Sequence, residues 1–340
     1  MKFRLFIAIA CSFILSSAQA QDDATAGLKA LNHFVGNWNT EMTAKPSKWM
    51  PEGSKGTVKE HTSWILKDRF IQGREIRHPD GEKSMWFITY DPKSNSYPMW
   101  FFNSTGVLGG EWSGTWDEAT KTLTSKSTDS PLGWTSQGTN HFPDNTSVRS
   151  AAWMKDDTGT LLLDMAWKKT RQPVDAAETT LAAWSEIERS AEMSPEFKIM
   201  ERLIGKWNTI AVSKPAEWTP KEERTTSKIT RKWILNGQFM QDTSDVLEGP
   251  EGLSLMTFDP VMKKYRGWWF NSEGHRNKSI GNWDAKTETI SFRADLEDGL
   301  VSQSSVKFID EDRHVWKVVV KDGDGKLYFD TEWTVTRQKE

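Results

Sequence analysis

Aromatic residues are most concentrated in two short segments of matching sequence. Residues 100–103 read Trp-Phe-Phe-Asn, and residues 268–271 read Trp-Trp-Phe-Asn. Side chains alternate between the two faces of a β-strand, so one aromatic pair in each segment faces a core or a cavity. Such a pair could simply pack a core, or it could form a flat apolar wall for a ligand. The aromatic residues that we predict as ligand-binding are Trp86, Trp100, Phe102, Trp268 and Phe270.

Two polar side chains are further candidates. Arg74 shares a strand face with Phe70 if the alternation is unbroken, and a partly buried guanidinium could hold a carboxylate. His275 directly follows the Asn-Ser-x-Gly turn of the second aromatic segment. A solvated arginine and a polar residue at the start of a strand are the alternative interpretations, and the sequence leaves them open.

Several kinds of site are excluded by composition and spacing. Cys11 is the only cysteine, and it lies in the leader, so disulfides, cysteine–metal sites and thiol nucleophiles are ruled out for the rest of the chain. The segment 277–281 lacks the first glycine of a nucleophile elbow. The loop that begins at Asp322 has Trp333 where a calcium loop needs a glutamate. We therefore predict no catalytic residue and no metal site.

The first twenty residues have the features of an export signal. Lys2 and Arg4 precede an apolar stretch at 5–15, and residues 18–20 form a small-x-small cleavage pattern. The apolar stretch is shorter than the ~20 residues of a membrane span. We predict an exported protein, periplasmic or secreted, without a membrane span. The 44 basic and 47 acidic residues are interspersed, which argues against a nucleic-acid partner.

The rest of the chain is a duplication. Gly36-x-Trp38 returns as Gly205-x-Trp207, and at least five further motifs return in the same order with a slowly shrinking offset. Two long copies, rather than three or more short ones, indicate paired domains and not a stacking array. The predicted parts are a signal peptide at 1–20, a first domain at 24–171, a helical linker at 172–195 and a second domain at 196–340.

Strand patterns dominate both copies. Each copy opens with a short amphipathic helix and continues with ten short strand signals, which are separated by Gly- and Asp-rich turns. An antiparallel meander of this length removes its unpaired edges by closing on itself. We predict an all-β fold with two antiparallel up-and-down barrels of eight to ten strands.

The motifs resemble those of the calycin (lipocalin-like) barrels, in which a Gly-x-Trp follows a short helix and an Arg ends the last strand. By this resemblance Trp38 would pack on Arg171 and Trp207 on Arg337 at the closed end of each barrel, a contact worth ~1 kcal/mol. The fuller pattern, with Trp-Ile-Leu, Asp-Pro and Gly-x-Trp-Asp, resembles a family of uncharacterised exported bacterial proteins of unknown function. This resemblance implies a fold and no activity. Because some calycins bind haem through one histidine, haem at His275 is an alternative to the prediction of no cofactor.

The function follows from the fold as a set of alternatives. The first hypothesis is a non-enzymatic protein that binds a small apolar or aromatic molecule inside one or both barrels. The second is an enzyme, which would require paired titratable groups in a barrel cavity. The third is a carbohydrate- or protein-interaction module, which would require Trp86, Trp112 or Trp134 in one exposed patch. The sequence identifies neither the ligand nor a protein partner.

Overall fold

The computed structural model describes residues 26–106, 110–129, 133–185, 193–245 and 250–339. The chain divides into two compact units, residues 1–185 and 186–340. Each unit contains a closed barrel of ten antiparallel strands. The predicted all-β fold with two up-and-down barrels in tandem is therefore confirmed, at the upper end of the predicted number of strands.

The first barrel closes because its first strand pairs with both its second and its tenth. Every other strand pairs with its neighbours in the sequence. The strands are β1 Gly36–Ala44, β2 Ser54–Ile65, β3 Phe70–His78, β4 Lys83–Ile88, β5 Tyr97–Asn103, β6 Glu111–Asp117, β7 Thr122–Asp129, β8 Thr135–His141, β9 Ser147–Lys155 and β10 Leu161–Gln172.

The second barrel closes in the same way, through pairing of its first strand with its second and its tenth. Its strands are β11 Gly205–Ser213, β12 Glu223–Ile234, β13 Phe239–Asp245, β14 Gly252–Asp259, β15 Lys264–Asn271, β16 Arg276–Asp284, β17 Thr289–Asp295, β18 Val301–Phe308, β19 Arg313–Lys321 and β20 Leu327–Arg337.

A short helix precedes each barrel and caps one end of its core. In the first unit, α1 covers 26–30 and continues as one 3-10 turn at Leu31–His33. In the second, α3 covers Pro195–Glu201, with a proline in its first turn. Leu31 and Met200 are fully buried and belong to the apolar cluster of their own barrel. The predicted N-terminal helices therefore fill and cover the end of the barrel at which the Gly-x-Trp strand begins.

A third helix, α2 at Ala176–Ser185, lies within the predicted linker and packs on β2 and β3. Trp184 is buried there, and its Nε1 donates a hydrogen bond to the Ser84 carbonyl over 3.1 Å. The predicted signal peptide at 1–20 lies outside the described residues, and the domain bounds stay predictions. Within the described part of the chain, no helix has the length and apolarity needed to cross a membrane.

Candidate functional site

Charged side chains face the interior of the first barrel on three of its strands. Trp38 lies in the core of the barrel and pairs directly with Glu60 of β2, which in turn pairs with Glu75 of β3. On the other side of β1, Thr40 pairs with Lys169 of β10. Directly paired residues point to the same face of a sheet, and residues two apart on a strand share that face. All five side chains therefore point inward.

Glu60 forms a buried ion pair. Its side chain is 2% exposed, and Lys169 Nζ donates to its Oε2 over 2.5 Å. Thr62 Oγ1 donates to the other carboxylate oxygen over 2.9 Å. Both oxygens of Glu60 thus have a partner, as a buried carboxylate requires.

The carboxyl group of Glu75 accepts hydrogen bonds from two residues of the neighbouring strand β4. Ser84 Oγ donates to its Oε2 over 2.8 Å, and Trp86 Nε1 donates to its Oε1 over 3.0 Å. The indole of Trp86 lies directly against the backbone of Gly73, where an added Cβ would be 2.1 Å from the ring. A glycine at this position is what allows the indole to reach Glu75.

The pKa of Glu75 is raised, first because burial disfavours its charged form and then because Glu60 repels it. Lys169 and the two hydrogen-bond donors offset part of this increase. Burial by itself would lower the pKa of Lys169, but the attraction of Glu60 and then of Glu75 outweighs it, so that pKa is raised. The cluster therefore holds one ammonium ion, one carboxylate and one carboxyl group that ionises with difficulty.

The opposite wall of the barrel is made of small residues. β7, β8 and β9 stand five places from β2, β3 and β4 in the ring of ten strands and so face them. At the middle of the barrel the inward-facing residues of these strands are Ser125, Gly138 and Ser150. Ser125 pairs with Gly114, Gly138 pairs with Ala152, and Ser150 pairs with Trp167. A ten-strand barrel is wider than the eight-strand barrels that already hold one small ligand. Large inward-facing side chains therefore lie on one wall of the barrel and small ones on the other.

An aromatic surface borders the lumen. Phe101 pairs with Trp86 and points inward, and Trp112 pairs with the inward-facing Met99. Phe101 and Trp112 are only half-buried although they face the interior, so solvent reaches the lumen. Trp112 Nε1 donates to Ser136 Oγ over 2.5 Å, and the Trp134 ring lies 6.3 Å away. The lumen therefore combines aromatic faces with a charged cluster.

The Trp–Arg pairs lie at the closed ends, as the resemblance implies. The Arg171 guanidinium carbon is 4.1 Å from the Trp38 ring centroid, and that of Arg337 is 4.0 Å from Trp207. Arg171 Nη1 also donates to the carbonyl of Val35, just before the first strand. These contacts tie the last strand of each barrel to the start of its first strand.

The predicted ligand-binding aromatics separate into two groups. Trp86 faces the lumen of the first barrel. Trp100 and Phe102 lie on the outer face of β5, where they are buried beside Phe70 and Phe87. The inward-facing members of that segment are instead Phe101 and Asn103.

The second barrel repeats this orientation. Trp268 and Phe270 are buried on the outer face of β15, with the Phe239 ring 6.3 Å from that of Trp268. Trp269 and Asn271 face inward. The structure therefore places these four predicted residues outside both lumens.

Arg74 and His275 also lie away from the lumens. Arg74 is on the outer face of β3, and its guanidinium carbon is 5.4 Å from the Trp184 ring centroid. His275 is in the turn after β15, and its side chain is 69% exposed. Among the described residues, no group of three His, Cys, Asp or Glu side chains could hold a metal ion.

Sequence reasoning missed Glu60, Glu75 and Lys169. Each lies in a mainly polar segment, such as Lys59-Glu60-His61, which resembles an ordinary solvent-exposed strand. A signal was nevertheless present, because the second copy has Ile229 where the first has Glu60. A charge that replaces an apolar residue at a repeated inward position marks a difference in the lumen.

Comparison with known proteins finds one family model and several solved structures that are similar to this chain or to part of it. The model of a protein family of unknown function, DUF1579, matches residues 192–337, which include the whole second barrel. No curated protein matches the chain. A solved structure of a DUF3598-family protein of unknown function from Nostoc punctiforme covers 92% of this chain and 99% of its own, at 10% identity and a TM-score of 0.29.

Two other solved structures match about one barrel. The S-type phycobiliprotein lyase CPES from Guillardia theta is 15% identical over 44% of this chain and 95% of its own, with a TM-score of 0.31. EF1p2_mFAP2b bound to DFHBI is 12% identical over 42% of this chain and 98% of its own, with a TM-score of 0.22. All three TM-scores are below 0.5, and these neighbours carry no argument about the function of this chain.

Proposed function

We propose that the chain is an exported, calycin-like binding protein whose first barrel holds a small molecule with an aromatic or apolar part. One observation carries the proposal. The inward wall with Trp86 and Phe101 faces the small residues Gly138 and Ser150 across the lumen. Concave sites with aromatic walls and a few placed polar groups are typical of small-molecule binding.

The test is native mass spectrometry of the mature protein purified from its own host. We expect a mass above that of the polypeptide, from a bound molecule, and we expect it to be absent when a bulky substitution fills the lumen. Ser150→Trp places an indole in the lumen, where the second barrel already has Trp316 at the corresponding position. Ala151→Trp is the matched control, because Ala151 is the next residue on the same strand and is exposed on the outer face.

The outcomes separate clearly. Loss of the additional mass in Ser150→Trp and its retention in Ala151→Trp support binding in the lumen, provided that both variants keep the circular dichroism of the wild type. Ser150→Leu repeats the test with a smaller side chain if the tryptophan variant does not fold. A bare polypeptide mass that stays unchanged after exposure to aromatic metabolites overturns the proposal.

A second candidate, an enzyme, is favoured by the facing pair Glu60 and Glu75. Two carboxyl groups in different environments, one with a raised pKa, can serve as general acid and base. Once a bound molecule is known, Glu75→Gln separates the two functions. Conversion by the wild type that is lost in Glu75→Gln at saturating concentrations of that molecule indicates an enzyme, and the absence of any conversion by the wild type indicates a carrier.

Export is a separate part of the proposal, since it rests on residues 1–20 alone. The intact mass of the protein from its host should correspond to cleavage after Ala20. A mass that retains Met1 to Ala20 would contradict it.

A further inference from the structure

The charged groups in the lumen of the first barrel are balanced only while Glu75 keeps its proton. Glu60 is neutralised by Lys169 over 2.5 Å, and Glu75 has two neutral donors, Ser84 and Trp86. No cation faces Glu75 at hydrogen-bond distance among the described contacts of its side chain. Its ionised form therefore lacks a charged partner of its own, which agrees with the raised pKa.

A second, independent observation indicates an unoccupied hydrogen-bonding position on the same inner face of the barrel, beside Lys169. Thr40 is 1% exposed and points into the lumen between the strands of Glu60 and Lys169, yet its Oγ1 has no hydrogen-bond partner. A buried hydroxyl without a partner is costly, by about 1–3 kcal/mol. A polar group brought by a ligand would satisfy it.

We propose that the ligand of the first barrel is an organic cation, a primary or secondary ammonium group attached to an aromatic or apolar body. The ammonium group lies beside Glu75 and the Thr40 hydroxyl, and the body lies along Trp86 and Phe101. The added positive charge balances the second carboxylate, and its N–H groups supply donors to Glu75 and to Thr40. This inference rests on the proposed function, because it specifies the chemistry of the molecule held in the same lumen.

Other ligand charges fit this cluster less well. An anion would approach two carboxyl groups, and the cations on this inner face are already paired: Lys169 with Glu60, and Arg77 with Asp80 and Glu82. A neutral molecule would leave Glu75 protonated or unpaired. Electrostatic complementarity therefore selects a cation over an isosteric neutral or anionic molecule.

The test is isothermal titration calorimetry with three probes that share an indole ring and differ in charge. They are tryptamine, tryptophol and indole-3-acetate. We expect tryptamine to bind the mature protein at least tenfold more tightly than the other two. Glu75→Gln, which keeps the shape and an acceptor for Trp86 Nε1, should reduce tryptamine affinity about tenfold and leave tryptophol affinity unchanged.

Thr40→Val supplies a second measurement. Its folding should be unimpaired, because Thr40 Oγ1 bonds to nothing in the protein, whereas tryptamine affinity should fall several-fold. Ser244→Ala is the matched control, since Ser244 occupies the position of Glu75 in the second barrel, and it should change neither affinity.

The outcomes distinguish this inference from the proposed function. If tryptophol binds as tightly as tryptamine and Glu75→Gln alters neither, the cation is refuted while binding in the lumen stands. Tighter binding of indole-3-acetate has the same meaning. If none of the three probes binds and the protein from its host carries no additional mass, both the inference and the proposed function fail.

Discussion

The two barrels share a closed end and differ in the lumen. In each, a Gly-x-Trp strand begins under a short helix, and the indole stacks on the arginine that ends the last strand. Further into the lumen, the charged residues of the two barrels differ. At the positions of Glu60, Glu75 and Lys169 the second barrel has Ile229, Ser244 and Val335. The whole charged cluster is present in one copy and absent from the other.

The bulky inward-facing side chains also lie on different walls in the two barrels. The second barrel has Phe292 and Trp316 where the first has Ser125 and Ser150. Conversely, Ser254 occupies the position of Trp86. Each lumen therefore has one large and one small wall, on opposite sides. Duplication preserved the elements that close the barrel and let the residues that face the lumen vary.

The second barrel has its own buried polar cluster, one layer closer to the closed end. Arg231 Nε donates to Asp242 over 2.5 Å, and its Nη1 donates to His314 Nε2 over 2.7 Å. His314 lies edge-on against Trp207 at 4.7 Å. The first barrel has Val148 at the position of His314. The cluster is satisfied internally, which suits a structural role.

The largest effect is expected from removal of the lysine in the first barrel. Lys169→Met leaves Glu60 buried without its ammonium partner, and breaking a buried pair from one side costs about 3–5 kcal/mol. Urea denaturation of the whole chain should show this loss. The triple variant E60I/E75S/K169V, which copies the second barrel, should recover most of it because no buried charge remains. A single variant as stable as the wild type would contradict the buried pair.

Acid should act mainly on the second barrel, through His314. Burial, then Arg231 and Arg337, lower its pKa to about 2, against 6.5 for a free imidazole side chain. Between these values the unfolded chain binds a proton that the native barrel refuses. Stability from this group is therefore complete above pH ~6.5 and is lost by about 1.4 kcal/mol per pH unit below it.

The measurement is the free energy of unfolding at pH 7 and at pH 5, where we expect a loss of about 2 kcal/mol from this group. His314→Gln keeps an acceptor for Arg231 but cannot titrate, so its loss over the same range should be smaller by that amount. Equal losses in the variant and the wild type would assign the acid sensitivity to other groups.

The two closing arginines should differ in the cost of replacement by lysine. Arg337 donates to three backbone carbonyls, from Nη1 to Ile204, from Nη2 to Arg202 and from both Nε and Nη2 to Glu311. Arg171 donates to two, from Nε to Asn145 and from Nη1 to Val35. A lysine can keep one of these carbonyl contacts. With about 1 kcal/mol for each contact that is lost, we expect Arg337→Lys to cost about 2 kcal/mol and Arg171→Lys about 1 kcal/mol. Thermal unfolding of both variants gives the comparison, and the reverse order would contradict it.

The sequence predicted the architecture because strand and turn signals are local. Ten strand signals per copy and the leading helices were visible in the sequence pattern, and the Trp–Arg pairs followed from the resemblance to calycin barrels. The residues that line the lumen could not be predicted, because which side chains face the interior depends on barrel closure and strand register. The aromatic pair Trp100 and Phe102 is more apolar than Phe101 and Asn103, yet it packs on the outer face. Glu60 and Glu75 lie fifteen residues apart and meet only when β2 pairs with β3.

The smallest effect on stability, and the one most specific to the first barrel, concerns Glu75. Its raised pKa means that the native barrel keeps a proton which the unfolded chain releases above pH ~4.5. Stability from this group is therefore present at low pH and is lost as the pH rises towards the native pKa. Glu75→Gln cannot release a proton, so its stability relative to the wild type should increase from pH 4.5 upwards. Ser244→Ala in the second barrel should give a difference from the wild type that stays constant with pH. If the two variants show the same pH profile, Glu75 is not held in its protonated form, and the electrostatic contrast between the two lumens loses its basis.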